Sequence, residues 1–294
     1  MKRPFSILLL VALSCPAPGQ DQYQAQRTSF MLYSVGIGGL SGGVGAWVNK
    51  EKEQKWHQVL LKGVAQGALG GLAMHQGKNM TYQIYAKRRY GRAWSAHIVH
   101  AAGASIAQNA ATNHNFWEHW HINLWLFRLD YDLPEHRFRT RLSPSSLYGY
   151  LSMRGEGTLN LAKSMKTGVI YLDDKGTISY EGMASATTIA IGVNEPYYPE
   201  SRKYEITAHE MVHVLQYESF VYINPLLHKV DTRWKSNAPW YSMLSNFIYF
   251  DFNGLYGWAM YDWVEGGMTN PCYWDNFLEK EAEHYSHRKY VDCQ

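Results

Sequence analysis

The sequence Ile206-Thr207-Ala208-His209-Glu210-Met211-Val212-His213-Val214-Leu215-Gln216 contains the pattern His-Glu-x-x-His in a run that is typical of a helix. Residues four apart lie on one face of an α-helix, so His209 and His213 can aim both imidazoles at a single ion. Glu210 adjoins the first histidine, where its carboxylate can take a proton from a metal-bound water. The stretch therefore predicts two ligands and the general base of a zinc site, on a helix from about residue 203 to 217.

A third ligand is expected elsewhere, because catalytic zinc sites commonly use three protein ligands and leave a fourth position for water. The C-terminal segment 277–284 contains Glu279-x-x-Ala282-Glu283. This pattern resembles the Glu-x-x-Ala-Asp signature that supplies the third ligand in the gluzincin class of zinc metallopeptidases. The resemblance is confined to the two metal-binding helices.

The resemblance implies that Glu279 is the third zinc ligand and that Glu283, where the family usually has Asp, hydrogen-bonds a zinc-binding histidine. A helix places Glu279 and Glu283 about 40° apart, and Glu281 about 160° from Glu279, so only one of these faces can meet the ion. Glu281 also precedes Ala282 and is the alternative ligand. The family further implies hydrolysis of a polypeptide, with the zinc-bound water activated by Glu210.

The amino-acid composition indicates a folded protein and argues against a nucleic-acid-binding one. The 294-residue chain is 46% hydrophobic and 18% charged, as a folded protein is. Its formal net charge is +3, with basic and acidic residues interspersed, so we expect no nucleic-acid partner.

The N-terminus has the three parts of a secretory signal peptide: Lys2 and Arg3, an apolar run at 5–13, and Pro16-Ala17-Pro18-Gly19. We predict that residues 1–19 are removed, which places the protein outside the cell or in the cell envelope. The alternative is a lipidated Cys15, but the bulky Leu13 fits a bacterial lipobox poorly.

Cys272 and Cys293 remain after such cleavage, in a compartment that permits disulfides. A bond between them would close a loop of about 20 residues and stabilise the fold by about 3 kcal/mol. Two free buried thiols are the alternative.

Residues 20–120 predict a helical unit rich in glycine and alanine. Segment 29–48 has no charge and is long enough to span a bilayer, and Gly38/Gly42 and Gly39/Gly43 have the spacing that lets helices approach closely. Segments 59–74 and 93–111 form a weak repeat of it. The segment is compatible with membrane association through 29–48 and equally with a soluble bundle of small-residue helices.

Three histidines crowd the stretch that follows, His114, His119 and His121. Imidazoles so close could hold a metal ion, but no carboxylate or cysteine completes a recognised spacing, and the neighbouring aromatic residues indicate an anchored loop.

From residue 121 the pattern changes to short alternating runs at 122–129, 138–142, 158–161, 169–172 and 187–191, separated by turn signals. We predict a mostly antiparallel sheet of five to seven strands. Zinc peptidases with this motif commonly place an edge strand before the motif helix, and Thr187–Ile191 occupies that place. An ordinary core strand is the alternative.

The aromatic region after residue 217 and the segment 273–289 are predicted to be helical. The fold class is therefore α+β: an N-terminal helical unit, a central sheet and, within 121–294, a C-terminal helical region similar to zinc peptidases. The leading hypothesis for function is a zinc-dependent metalloendopeptidase of the secretory or envelope compartment. The alternatives are an envelope or membrane-associated scaffold whose zinc site is structural or a relic, and a zinc hydrolase of non-peptide substrates.

Overall fold

The computed structural model describes residues 22–174, 181–192, 199–220, 223–252, 254 and 276–286. Four helices come first: α1 (Gln22–Val48), α2 (Trp56–Met80), α3 (Tyr82–Lys87) and α4 (Arg92–Ala111). The three long ones are the glycine-rich segments, so the predicted helical unit is confirmed.

Glycine allows α1 and α2 to touch backbone to backbone. A Cβ atom on Gly42 would lie 2.9 Å from the Cα of Gly67, and one on Gly63 would lie 2.9 Å from the carbonyl carbon of Gly42. Gly70 of α2 meets α4 in the same way, because its Cβ would lie 2.7 Å from the carbonyl oxygen of Gly103. Small residues thus replace interlocking side chains as the packing device of this bundle.

The strands form two sheets. The first is an antiparallel meander of β1 (His119–Leu124), β2 (Phe127–Asp132) and β3 (Arg137–Leu142). After α5 (Pro144–Met153) come β4 (Gly157–Leu159), α6 (Leu161–Thr167), β5 (Ile170–Asp174), β6 (Gly182–Ser185) and β7 (Thr188–Ile191). They build a second sheet in the order β4-β5-β7-β6.

Three details of the strand prediction are wrong. There are two sheets rather than one. The pairing is mostly antiparallel as predicted, with one parallel pair between β5 and β7. The run 122–129 is a hairpin, because the chain reverses after Leu124, with Trp125 in the left-handed region at φ 55°. Thr187–Ile191 is not an edge strand, since β7 lies between β5 and β6; the edge is β6.

The helices of the C-terminal half are α7 (Glu200–Ser219), α8 (Ile223–Leu226), α9 (His228–Asn237), α10 (Pro239–Leu244) and α11 (Phe277–Ser286). The predicted motif helix is α7. One face, including Ile206 and Met211, is buried against β5 and β7. Val212 on another face packs against Phe30 of α1 and Tyr285 of α11. Helix α7 therefore lies at the centre of the molecule, and the predicted α+β class is confirmed.

Within the described residues, one helix is long and apolar enough to cross a membrane by length and composition, Gln26–Val48, and 39% of its most apolar window is buried in the protein. The predicted signal peptide 1–19 and the predicted Cys272–Cys293 bond lie outside the described residues.

Candidate metal centre

Helices α7 and α11 bring two histidines and one glutamate to a single point. The Nε2 atoms of His209 and His213 are 3.1 Å apart. Glu279 of α11 places one carboxylate oxygen 3.3 Å from the Nε2 atom of His209 and the other 3.3 Å from that of His213. The three residues predicted as ligands thus form a group that could hold a metal ion.

The electrostatics of this group favour a positive charge. The His209 and Glu279 side chains are 4% and 3% exposed, whereas the His213 side chain is 18% exposed. The group is therefore most accessible to solvent at His213. Burial alone would lower the pKa of His213. The nearby Glu279 carboxylate has the opposite effect, and the pKa of His213 is raised to about 9. Burial raises the pKa of Glu279, yet His213 and His209 bring it well below its usual range.

Gln216, one turn after His213, fixes the orientation of that imidazole. Its amide nitrogen donates to the carbonyl oxygen of Leu278 and to the Glu281 carboxylate, both at 2.8 Å. Its amide oxygen lies 2.8 Å from the Nδ1 atom of His213. Because that oxygen can only accept, Nδ1 carries a hydrogen, and Nε2 is the nitrogen that would bind a metal ion once the ion displaces its proton. Gln216 was not predicted from the sequence, although its spacing of three from His213 on one helix was a usable signal.

Glu281, the alternative ligand, turns toward α2 instead. Its two oxygens lie 2.8 and 3.0 Å from the Nζ atom of Lys78, and this pair is almost fully buried. A chain of polar contacts thus runs from Lys78 through Glu281 and Gln216 to His213. No local pattern could have revealed Lys78, which is 203 residues from Glu281 in the chain.

Glu210 is 5% exposed and lies against the edge strand β6. A Cβ on Gly182 would lie 2.5 Å from one Glu210 carboxylate oxygen, so the absence of a side chain there makes room for this carboxylate. Glu210 is also close enough to His213 to raise its pKa. Glu283 is 1% exposed on α11, and its hydrogen bond to a ligand histidine stays a prediction.

A cavity of about 230 Å³ lies away from this group, between the β1–β3 meander and α9. His228 lines that cavity, with its ring 5.8 Å from that of His114, and Tyr241 donates a hydrogen bond to Asp231.

Comparisons with protein-family models, with curated proteins and with solved structures found no match. The function of this chain is therefore inferred from the geometry of its own side chains.

Proposed function

We propose that the chain is a zinc-dependent hydrolase that cleaves peptide bonds, with His209, His213 and Glu279 as the zinc ligands and Glu210 as general base. The observation that carries the proposal is the spacing of the three ligands. Zinc binds nitrogen and oxygen at 2.0–2.2 Å in a tetrahedron, which sets ligand atoms about 3.3–3.5 Å apart. The distances of 3.1 to 3.3 Å between the three side chains fit this requirement.

The donor set fits zinc chemically as well. Two neutral imidazoles and one carboxylate leave a net charge of +1 on the occupied site, and this set is known in catalytic zinc sites with one open position. Gln216 supports the assignment, since it holds the His213 tautomer that a ligand needs. A purely structural site would need neither an open position nor a carboxylate beside the first histidine.

Bound zinc supplies Lewis acidity, which polarises the scissile carbonyl and lowers the pKa of a coordinated water. The buried Glu210 carboxylate would accept a proton from such a water as the water oxygen bonds to the carbonyl carbon. When the C–N bond breaks, Glu210 returns the proton to the leaving amine, so the carboxylate is regenerated.

The position of β6 supports a polypeptide as the substrate. Among the described strands β6 pairs only with β7, so within this part of the chain its other edge has no strand partner. An extended peptide can add to such an edge as a further strand. Gly182 on β6 touches Glu210, so a peptide on this edge would lie near the general base.

Substitution at Glu210 and His213 tests the proposal. Purified wild-type protein should bind zinc at the site and cleave a denatured protein in a chelator-sensitive way. Glu210→Gln should keep the zinc and lose at least about 100-fold in kcat/KM, whereas His213→Ala should lose that zinc. Glu200→Gln, an exposed carboxylate on the same helix, is the matched control and should retain activity.

Two results would decide against the proposal. Zinc retained at this site in His213→Ala would remove the metal centre. Zinc bound by wild type without cleavage across a broad peptide library would favour the scaffold function, in which the same ion is structural.

We also propose that α1 associates with a membrane. Leu40, Val44 and Trp47 follow one another at spacings of four and three on one face of α1, and they are 64%, 40% and 56% exposed. Contiguous exposed apolar residues of this kind mark an interaction surface. The predicted secretory route would bring the chain to such a membrane.

A further inference from the structure

The loop between α4 and β1 places two histidines and a carboxylate together, far along the chain from the zinc helix. His114, Glu118 and His119 each offer a ligand atom, and these atoms lie within 4.8 Å of one another. The two imidazole rings are 4.5 Å apart between centroids. The sequence analysis found these histidines without a carboxylate in a recognised spacing, and the fold supplies one in Glu118.

The hydrogen bonds of His114 determine its tautomer. The Oγ1 atom of Thr112 donates its single hydrogen to the carbonyl oxygen of Gln108 at 2.9 Å, and the same atom lies 2.8 Å from Nδ1 of His114. When Thr112 donates to Gln108 in this way, its oxygen accepts at the contact with His114 and Nδ1 of His114 carries the hydrogen. The Nε2 atom is left with a lone pair, as a metal ligand requires.

The neighbour of His119 on the adjacent strand favours the same tautomer, with the hydrogen on Nδ1. Asp132 is its partner in the β1–β2 register, and the Oδ2 atom of Asp132 lies 3.3 Å from Nδ1 of His119. A carboxylate beside Nδ1 favours hydrogen on that nitrogen and leaves Nε2 for the metal, the arrangement found behind many metal-binding histidines. Glu118 is held as well, because its Oε1 atom accepts from the Asn115 amide.

The backbone of this loop is fixed by α4 and β2. Asn109 of α4 donates to the carbonyl oxygens of Phe116 and His119, at 3.0 and 2.8 Å. Leu133 donates its N–H to the carbonyl oxygen of Glu118 at 2.8 Å. The three side chains are therefore presented by a rigid frame, which lowers the entropy cost of binding an ion.

We propose that His114, His119 and Glu118 form a second metal site, selective for a borderline divalent cation such as Zn²⁺, beside the cavity that His114 and His119 line. Imidazole ligands select first-row ions of this class over Mg²⁺ and Ca²⁺. His228 also lines this cavity, with its ring centroid 5.8 Å from that of His114, and is our candidate for a fourth ligand. The ion would then join the α4–β1 loop to the first turn of α9.

Zinc stoichiometry of the full chain tests this site independently of the α7–α11 site. Equilibrium dialysis against Zn²⁺ should give about two ions per chain for wild type, about one for His213→Ala, and about none for His213→Ala with His119→Ala. Glu118→Gln preserves the shape of the side chain and should weaken zinc binding about tenfold or more in the His213→Ala background. His57→Ala, an exposed histidine on α2, is the matched control.

The outcomes separate the two sites. Loss of all zinc in His213→Ala alone, or unchanged zinc after His119→Ala and Glu118→Gln in that background, would overturn the second site. A wild-type chain that binds one ion, lost with His119 and kept without His213, would support it and contradict the α7–α11 site. Circular dichroism of each variant shows whether lost zinc reflects lost folding.

Discussion

Gln216 is the residue on which the geometry of the α7–α11 site depends most outside its ligands. It contacts both helices, because it holds His213 on its own helix and bonds to Leu278 and Glu281 on the other. Its amide leaves no freedom of orientation, since both of its hydrogens already have acceptors. The ligand tautomer and the helix spacing are thus set by one side chain.

Replacement of Gln216 by Leu should therefore weaken zinc binding. Loss of the partner behind a metal-binding histidine typically costs about 10- to 100-fold in affinity, and we expect a loss in this range. Competition with a chelator of known affinity measures it. The control is Gln58→Leu, an exposed glutamine on α2, which should bind zinc as wild type does. Wild-type affinity in Gln216→Leu would mean that His213 does not need this hydrogen bond.

The site residues that lie within one or two helical turns of each other in the sequence could be predicted from it. His209 and His213 follow from one helical turn, and the face shared by Glu279 and Glu283 follows from the helical period. The choice between Glu279 and Glu281 depended on Lys78, which pairs with Glu281 from the other end of the chain. Such a contact leaves no trace in the local sequence, because the bundle must fold before α2 and α11 meet.

Among the elements, α1 combines two properties that the sequence showed separately. Gly38, Gly42 and Gly43 face α2 and permit close contact, while Leu40, Val44 and Trp47 are exposed on α1. Leu61, Leu69 and Leu72 of α2 are also 45–68% exposed, so the apolar surface extends onto the second helix. In water such a surface is costly, since about 25 cal/mol is lost for each Å² of apolar area left exposed.

The α1 surface should therefore bind lipid directly. A chain of residues 20–294, mixed with phosphatidylcholine and phosphatidylglycerol vesicles, should float with them on a density gradient. Leu40→Glu with Trp47→Glu should abolish flotation without unfolding the protein, because both positions are exposed. Leu161→Glu on α6, at a residue that is 62% exposed, is the matched control and should float. A wild-type chain that stays soluble without detergent and does not float with the vesicles would contradict membrane association.

The strands were harder to predict than the helices, for two physical reasons. The β1–β2 hairpin turns at Trp125 and Leu126, which lack the Asn-Gly signal that a tight turn usually carries, so one long run concealed two strands. Strand β6 has the sequence Gly182-Met183-Ala184-Ser185, whose residues have low β propensity. Its place at the edge is decided by pairing with β7, not by its own composition.

At the scale of the whole molecule, buried histidines link stability to pH. His100 of α4 is 0% exposed; its Nε2 atom lies 2.9 Å from the Ser219 hydroxyl and its Nδ1 atom 3.7 Å from the Glu218 carboxylate. Burial lowers the pKa of His100 well below its ordinary value of 6.5, and Lys78, His97 and His121 lower it further. The folded protein therefore keeps this imidazole neutral where the unfolded chain protonates it.

The sign of the effect follows from proton binding. Below about pH 6.5 the unfolded state binds a proton at His100 that the folded state does not. The contribution of His100 to the free energy of unfolding is therefore fully present above that pH. It decreases as the pH falls toward the pKa of His100 in the folded protein. His100 should contribute a loss of about 1.4 kcal/mol between about pH 7.5 and 5.5. Urea unfolding at both pH values, with saturating zinc, measures the loss. His100→Gln should reduce the difference in the free energy of unfolding between the two pH values by that amount, whatever its effect on stability at either pH. The control His136→Gln, on the exposed β2–β3 turn, should leave this difference unchanged. An unaltered difference in His100→Gln would show that His100 takes up a proton as readily in the folded protein as in the unfolded chain.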